Sequence, residues 1–194
     1  MRWLEVRRHS LTKKGTERGH GSHLSADGVA LARRIGEEVG PVAYAVTNGL
    51  SRSVETAIAM GCAVDADIPL PSGYVPGEVA HHDQWQWPQP YVHYARLLAN
   101  GTGLAAVAAR HSEVWVGAVE NVADGETALI ISSGGSIEPT LVACFADDDH
   151  AAWGKPFSHC DGARLAYEDG RFVSIQMSRA PVPPAGGSSG PHRA

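Results

Sequence analysis

Apolar and polar positions divide this chain into strand-length and helix-length segments that follow one another in turn. Residues 3–8 alternate with a period of two, placing Leu4, Val6 and Arg8 on one face of a first strand. Glu5 falls on the other face, where a strand covered on both sides has no place for an unpaired carboxylate. Residues 10–23, rich in glycine and charge, read as a loop at the carboxyl end of that strand. Leu31, Ile35 and Val39 recur every four residues with Ala32 beside them, which predicts a helix capped by Ser25 and stopped by Gly40-Pro41. A short second strand over 42–46 turns through Thr47-Asn48-Gly49-Leu50 into another helix. Ser51 is its candidate cap, and Val54, Ala57, Ile58 and Gly61 form its packed side. Two such units in a row predict a parallel sheet with helices on both faces.

Residues 65–90 carry Pro69, Pro71, Pro76, Pro88 and Pro90 and read as a long irregular segment, of the kind that serves as a lid or binding wall. A weaker helix is predicted over 91–99. A long one follows over 104–122, with Leu104, Ala108, His111, Trp115, Ala118 and Val122 as its stripe. Thr127 to Ser132 is a nearly continuous apolar run, suited to the centre of a parallel sheet. Gly134-Gly135-Ser136 opens a helix carrying Ile137, Leu141, Cys144 and Phe145, with Pro139 placed in its first turn. Residues 163–167 and 172–177 flank Asp169-Gly170 as a hairpin. One domain over 1–179 is expected, followed by a flexible Pro/Gly/Ser-rich tail over 180–194 that has no packable face.

Composition narrows the function classes. The net charge of −5 argues against a broad nucleic-acid surface. The amino-terminal stretch lacks the apolar core of a signal peptide, and no run reaches the roughly eighteen apolar residues that span a bilayer, so no membrane partner is expected. Cys62, Cys144 and Cys160 form no C-x-x-C pair, which reads as reduced, buried thiols in a cytoplasmic protein.

The candidate chemistry sits where strands end. A neutral imidazole at His9 is a good nucleophile for phosphorus, and the guanidinium of Arg8 can neutralise a phosphate. Arg52 lies in the first turn of a helix whose amides already favour an anion. Gly134 and Gly135 allow close backbone approach to an anion. His20, His23, His81, His82 and Asp83 are metal-ligating residue types, but nothing in their spacing builds a tetrahedral site, and no metal is expected. His111 lies on an apolar stripe and reads as a core residue. Trp85 and Trp87 suit either a pocket wall or packing beneath a loop. No G-x-S-x-G elbow surrounds Ser133, which argues against a serine hydrolase.

Four motifs fall in one order: Val6-Arg7-Arg8-His9-Ser10, Leu24-Ser25 to Gly28, Leu50-Ser51-Arg52-Ser53-Val54-Glu55-Thr56-Ala57, and Leu129-Ile130-Ile131-Ser132-Ser133-Gly134-Gly135. Together they resemble the histidine phosphatase (phosphoglycerate mutase-like) superfamily over most of residues 3–177. The resemblance implies a three-layer α/β/α sandwich with a largely parallel sheet. It further implies hydrolysis of a small phosphorylated metabolite through a phosphohistidine, without metal or organic cofactor. His9 is then the nucleophile, and Arg8 and Arg52 hold the phosphate. Ser10, Gly134 and His82 join the phosphate pocket, and Glu78, with Asp83 as its rival, protonates the leaving oxygen.

This chain departs from the pattern at Ser133, where such proteins carry a second histidine. Losing a charge-assisted donor aimed at the transferring group costs on the order of a hundred- to a thousandfold in rate. Three expectations follow. An imidazole from His20, His23, His81 or His82 replaces it; the site runs on Arg8, Arg52, helix amides and the Ser133 hydroxyl; or the protein binds a phosphorylated ligand or free phosphate without turnover.

Overall fold

A computed structural model describes residues 1–13, 22–101 and 103–181. The strands are β1 (Arg2–Arg8), β2 (Tyr44–Thr47), β3 (Ala66–Asp67), β4 (Thr127–Ser132), β5 (Gly162–Glu168) and β6 (Arg171–Ser178). They form one sheet in the order β3-β2-β4-β1-β5-β6. The first four run parallel, and the β5–β6 hairpin joins β1 antiparallel at one edge.

The alternation in β4 explains the layers. Ala128 and Ile130 face one core with Tyr91, Tyr94, Leu104, Trp115 and Leu141. These come from α3 (Pro90–Ala99), α4 (Gly103–Glu120) and α5 (Gly134–Cys144). Leu129 and Ile131 face a second core with Leu31, Ile35 and Ala57, from α1 (Ala26–Val39) and α2 (Ser51–Ala59). Every β4 residue is buried because helices cover both faces of a strand flanked by β1 and β2. The structure is therefore the expected α/β/α sandwich with a largely parallel sheet.

Several local expectations shift. β2 is set by its pairing with β4, Tyr44 opposite Ala128, so it starts later than the apolar pattern suggests. Leu50, not Ser51, stands at the cap position of α2. Ile58 is 60% exposed while Ser53 and Thr56 are fully buried, because α2 turns its polar side to the strand ends. Thr56 Oγ1 accepts from the Ser10 amide at 3.0 Å and donates to the Arg52 carbonyl at 2.6 Å. Pro139 lies inside α5 beyond its first turn. Glu5 finds its partner two residues on, with its carboxylate 2.6 Å from Arg7 Nε. Burial still pushes the Glu5 pKa up, and the Arg7 cation opposes that rise.

Ser25 caps α1 as expected, accepting from the Gly28 amide at 3.0 Å. Gly28 lies so close beneath the Leu11 carbonyl that a Cβ would collide with it. His111 is a core residue; its Nε2 lies 2.9 Å from the Pro71 carbonyl, pinning the irregular 65–90 segment to α4. Among the described residues no helix is long and apolar enough to cross a membrane. His20 and residues 182–194 of the expected tail lie outside the described residues.

Candidate active site

β1 and β4 end side by side, with Arg8 paired to Ser132, so His9 and Ser133 leave adjacent strands at one level. The His9 amide donates to the Ser132 carbonyl at 2.8 Å. The His9 ring is 8% exposed, and its Nδ1 lies 2.9 Å from the Ser10 carbonyl. A carbonyl only accepts, so Nδ1 carries the hydrogen and Nε2 keeps its lone pair. Burial, followed by the neighbouring Arg8 cation, holds the His9 pKa well below its ordinary value. The nucleophilic neutral form is therefore present at neutral pH.

A cavity of about 580 Å³ opens over this ring. Arg8 donates through Nη1 to the Phe157 carbonyl, and its buried Nε has no hydrogen-bond partner among the described residues. Arg52 reaches the same space from α2, with Nη2 3.5 Å from Ser133 Oγ. Each guanidinium lies close enough to the His9 ring to lower its pKa, and Arg8 also lowers that of Arg52. Two cations held beside one cavity repel each other until an anion arrives. Ser133 is the N-cap of α5 and makes no side-chain cap bond, so the positive end of that helix also faces the cavity.

A scan against protein-family models finds no match, and a search of curated proteins finds none either. Solved structures do match across nearly the whole chain. One is a phosphoserine phosphatase from Entamoeba histolytica in complex with 3-phosphoglyceric acid. It is 13% identical, the match covers 93% of this chain and 98% of that one, and the TM-score is 0.65. Another is a mycobacterial glucosyl-3-phosphoglycerate phosphatase, at 18% identity, 94% and 100% coverage and a TM-score of 0.62. A third is the product of a Mycobacterium tuberculosis open reading frame, at 17% identity, 92% and 98% coverage and a TM-score of 0.63.

The fold is that of the histidine phosphatases.

Within this histidine phosphatase fold, Arg8, His9, Arg52, Ser133, Gly134 and His82 all line the one cavity. Two predicted residues do not. Ser10 is fully buried; its amide donates to Thr56 Oγ1 and its hydroxyl to the Gly28 carbonyl at 2.7 Å. Both of its donors are thus committed to packing the loop, and the expected phosphate contact is corrected. Glu78 is also displaced from the role expected of it. Its Oε1 accepts from the Gly103 amide at 2.7 Å and its Oε2 from the Leu104 amide at 2.9 Å, so it satisfies the first amides of α4. Its rival Asp83 accepts from the Ala80 amide at 2.8 Å. Among the described residues no carboxylate lines the cavity.

The histidines divide in the same way. His81 and His82 stack at 3.8 Å between ring centroids, with Tyr74 4.6 Å from His81, and all three line the cavity. His23 is bonded to Glu55, whose other oxygen accepts from the Leu24 amide at 2.6 Å. Among the described residues no group of three or more His, Cys, Asp or Glu side chains is arranged to hold a metal ion.

Two residues escape the sequence analysis. The His159 ring lies edge-on to His9 with centroids 5.8 Å apart, and it lines the same cavity. Its loop is pinned to the end of β1: the Cys160 amide donates to the Arg8 carbonyl at 3.1 Å, and the Arg8 amide to the Asp161 carbonyl at 2.9 Å. Burial and the Arg8 cation pull the His159 pKa down to about 4. Glu138, fully buried on α5, accepts from the Phe157 amide at 2.7 Å, and burial pushes its pKa up to about 7. Glu138 showed in the sequence only as a carboxylate beside Ile137 and Pro139, and His159 stood in a polar loop with no signal of what it faces.

Proposed function

We propose that this protein hydrolyses phosphomonoesters of small molecules through a phosphohistidine on His9. One observation carries the reading: a buried, neutral His9, its Nδ1 tied to a carbonyl, shares a cavity with Arg8, Arg52 and the positive end of α5. The phosphatases that share the fold support it, and the 3-phosphoglyceric acid bound to the amoebal one supports a small phosphorylated substrate.

In the first step His9 Nε2 attacks phosphorus, and the phosphorus–oxygen ester bond breaks. Arg8, Arg52, the Ser133 hydroxyl and the first amides of α5 stabilise the phosphoryl oxygens. The leaving oxygen needs a proton, and among the described residues no carboxylic acid lines the cavity to give it. Burial and the Arg8 cation hold the His159 pKa at about 4, so its ring is neutral at neutral pH. The proton therefore enters on the monoanionic ester, is shared with His159, and leaves on the alcohol. In the second step water attacks phosphorus, the phosphorus–nitrogen bond breaks, and His159 relays the water proton to the inorganic phosphate that departs, which returns both imidazoles to neutral. His159 thus supplies the imidazole that Ser133 does not.

The reactive complex holds one proton more than the ester dianion beside a neutral imidazole. Since the second ionisation of a phosphomonoester lies near pH ~6, kcat/KM is expected to fall about tenfold per pH unit above that. A rate that rises from pH 6 to 8.5 would remove His159 and the ester as the proton source.

The direct test is phosphate release from a panel of phosphomonoesters, with rapid quenching to capture an acid-labile phosphoryl group on the His9 peptide. Release should vanish in His9→Ala while its thermal unfolding stays that of the parent. A second reading, binding of a phosphorylated ligand without turnover, is favoured by Ser133. Phosphate-competable binding with no release at high protein concentration, and release appearing in Ser133→His, would establish it. The three free thiols, Cys62, Cys144 and Cys160, support a cytoplasmic setting.

A further inference from the structure

A second cavity, of about 430 Å³, adjoins the phosphate cavity, and His159 lines both. Its walls are largely apolar: Leu11, Leu31, Trp85, Trp153, Pro156 and Pro181. Trp85 ties the two spaces together, because the Arg8 guanidinium carbon lies 5.7 Å from the centre of its ring. A group esterified to a phosphate over His9 therefore has an apolar space on the far side of the His159 ring.

Two of the charged groups in this wall, Arg179 and Asp161, are committed to each other and to the backbone. Arg179 donates through Nη2 to the carbonyls of Trp153 and Lys155 at 2.9 and 2.7 Å. Through Nη1 it donates to the Pro156 carbonyl at 3.3 Å and to Asp161 Oδ2 at 3.0 Å. Asp161 also accepts from the amides of Ser158 and Ala180, at 2.8 and 2.7 Å. The wall is thus built by internal bonds, and the buried Asp161 carboxylate is paired within it by the partly exposed Arg179. Lys155 is exposed to solvent. Beside the exposed Lys155, what remains for a ligand is two indole rings and aliphatic surface, which favours a flat, apolar group.

We propose that the substrates of this protein are phosphomonoesters of uncharged, ring-bearing alcohols, with the ring held in this second cavity between Trp85 and Trp153. The proposal rests on the phosphatase reading above, since it takes the phosphate end as given. It sets this chain apart from the amoebal neighbour, whose ligand carries a carboxylate beside its phosphate.

The test compares equilibrium binding of 1-naphthyl phosphate, glycerol 2-phosphate and 3-phosphoglycerate to the full chain, at a pH and time where turnover is negligible. Each is displaced with inorganic phosphate, and tryptophan fluorescence is followed alongside. Naphthyl phosphate is expected to bind at least about tenfold more tightly than the other two, to change tryptophan emission, and to be displaced by phosphate. In Trp85→Ala, a change at a half-exposed position, the ratio of naphthyl to glycerol affinities should collapse toward one. Equal affinities for all three, still displaced by phosphate, would leave the phosphatase reading standing and overturn this one. So would tightest binding of 3-phosphoglycerate, or an unchanged ratio in folded Trp85→Ala. Failure of phosphate to displace any of them would overturn the phosphatase reading, and this proposal with it.

Discussion

Arg8, His9, Arg52 and Ser133 stand at the ends of sheet strands and α-helices, whereas Trp85 and Trp153 end short 3-10 turns and His159 stands in a loop. At the first end, strand register fixes geometry: Arg8 opposes Ser132, and the next residues of both strands enter the cavity. At the second, a single side chain, Arg179, gathers three carbonyls and one carboxylate to hold a loop in shape. A site built on strand and helix ends can change chemistry without changing shape, as Ser133 illustrates. A wall built on loop hydrogen bonds can change its ligand without touching the reacting atoms. The two ends should therefore fail differently when mutated.

The largest effect is expected at the phosphate end. Arg52→Ala removes a cation aimed at developing charge and should cut kcat/KM by about a hundred- to a thousandfold while leaving unfolding unchanged. Steady-state kinetics on one good ester would show it, and a loss of less than about fivefold would mean the transferring group does not sit between Arg8 and Arg52.

Arg179→Ala tests the other end. It strips a donor from three carbonyls and leaves Asp161 without its cation, at an expected cost of about 1–3 kcal/mol in urea unfolding. Because the wall loses its shape, selectivity among leaving groups should fall while the rate with the smallest ester is kept. A uniform loss of rate across all esters would join the two ends into one unit.

Glu138, behind Arg8, links the ends through pH. Its folded pKa of about 7 stands above its ordinary value, so the folded state binds more protons between the two. The stability it contributes is complete at the ordinary carboxylate pKa and below, and is lost as pH rises through about 7. Glu138→Gln should therefore gain in Tm relative to the parent as pH is raised from 4.5 to 8. The lowered pKa values of His9 and His159 act in the opposite sense but act alike in both proteins. Parallel Tm curves would show that Glu138 does not titrate in this window.

The smallest effect is expected at Glu78. Its removal as alanine takes away the acceptor for two α4 amides and should cost about 1 kcal/mol of stability, with no change in kcat. A rate loss beyond about tenfold in Glu78→Ala would return it to the chemistry.

How much of this was legible from residues alone differs by element. The stripe Leu104, Ala108, His111, Trp115 and Ala118 and the run through Ile131 placed α4 and β4 correctly, because burial on a regular element writes its period into the sequence. Arg8, His9, Arg52 and Ser133 were legible because each sits at a strand or helix end that local pattern marks. Glu78 was misjudged for the converse reason: a carboxylate among Val75, Pro76 and Val79 looks alike whether it faces a ligand or the amides of a helix that starts later in the chain.

By itself the sequence determined the order of the longer strands and helices, though not the two-residue β3, together with the two apolar faces of the sheet and the residues at its carboxyl edge, since these depend on periodicity and on short turns. Only the tertiary structure decided what stands across from them. His159 meets His9 because β5 folds back beside β1 and pins its preceding loop to the Arg8 carbonyl. The apolar cavity exists because that same loop, bonded through Arg179, closes against Trp85 and α1. Such pairings are set by sheet order and by hydrogen bonds between distant segments, and no local pattern of apolar and polar residues records them.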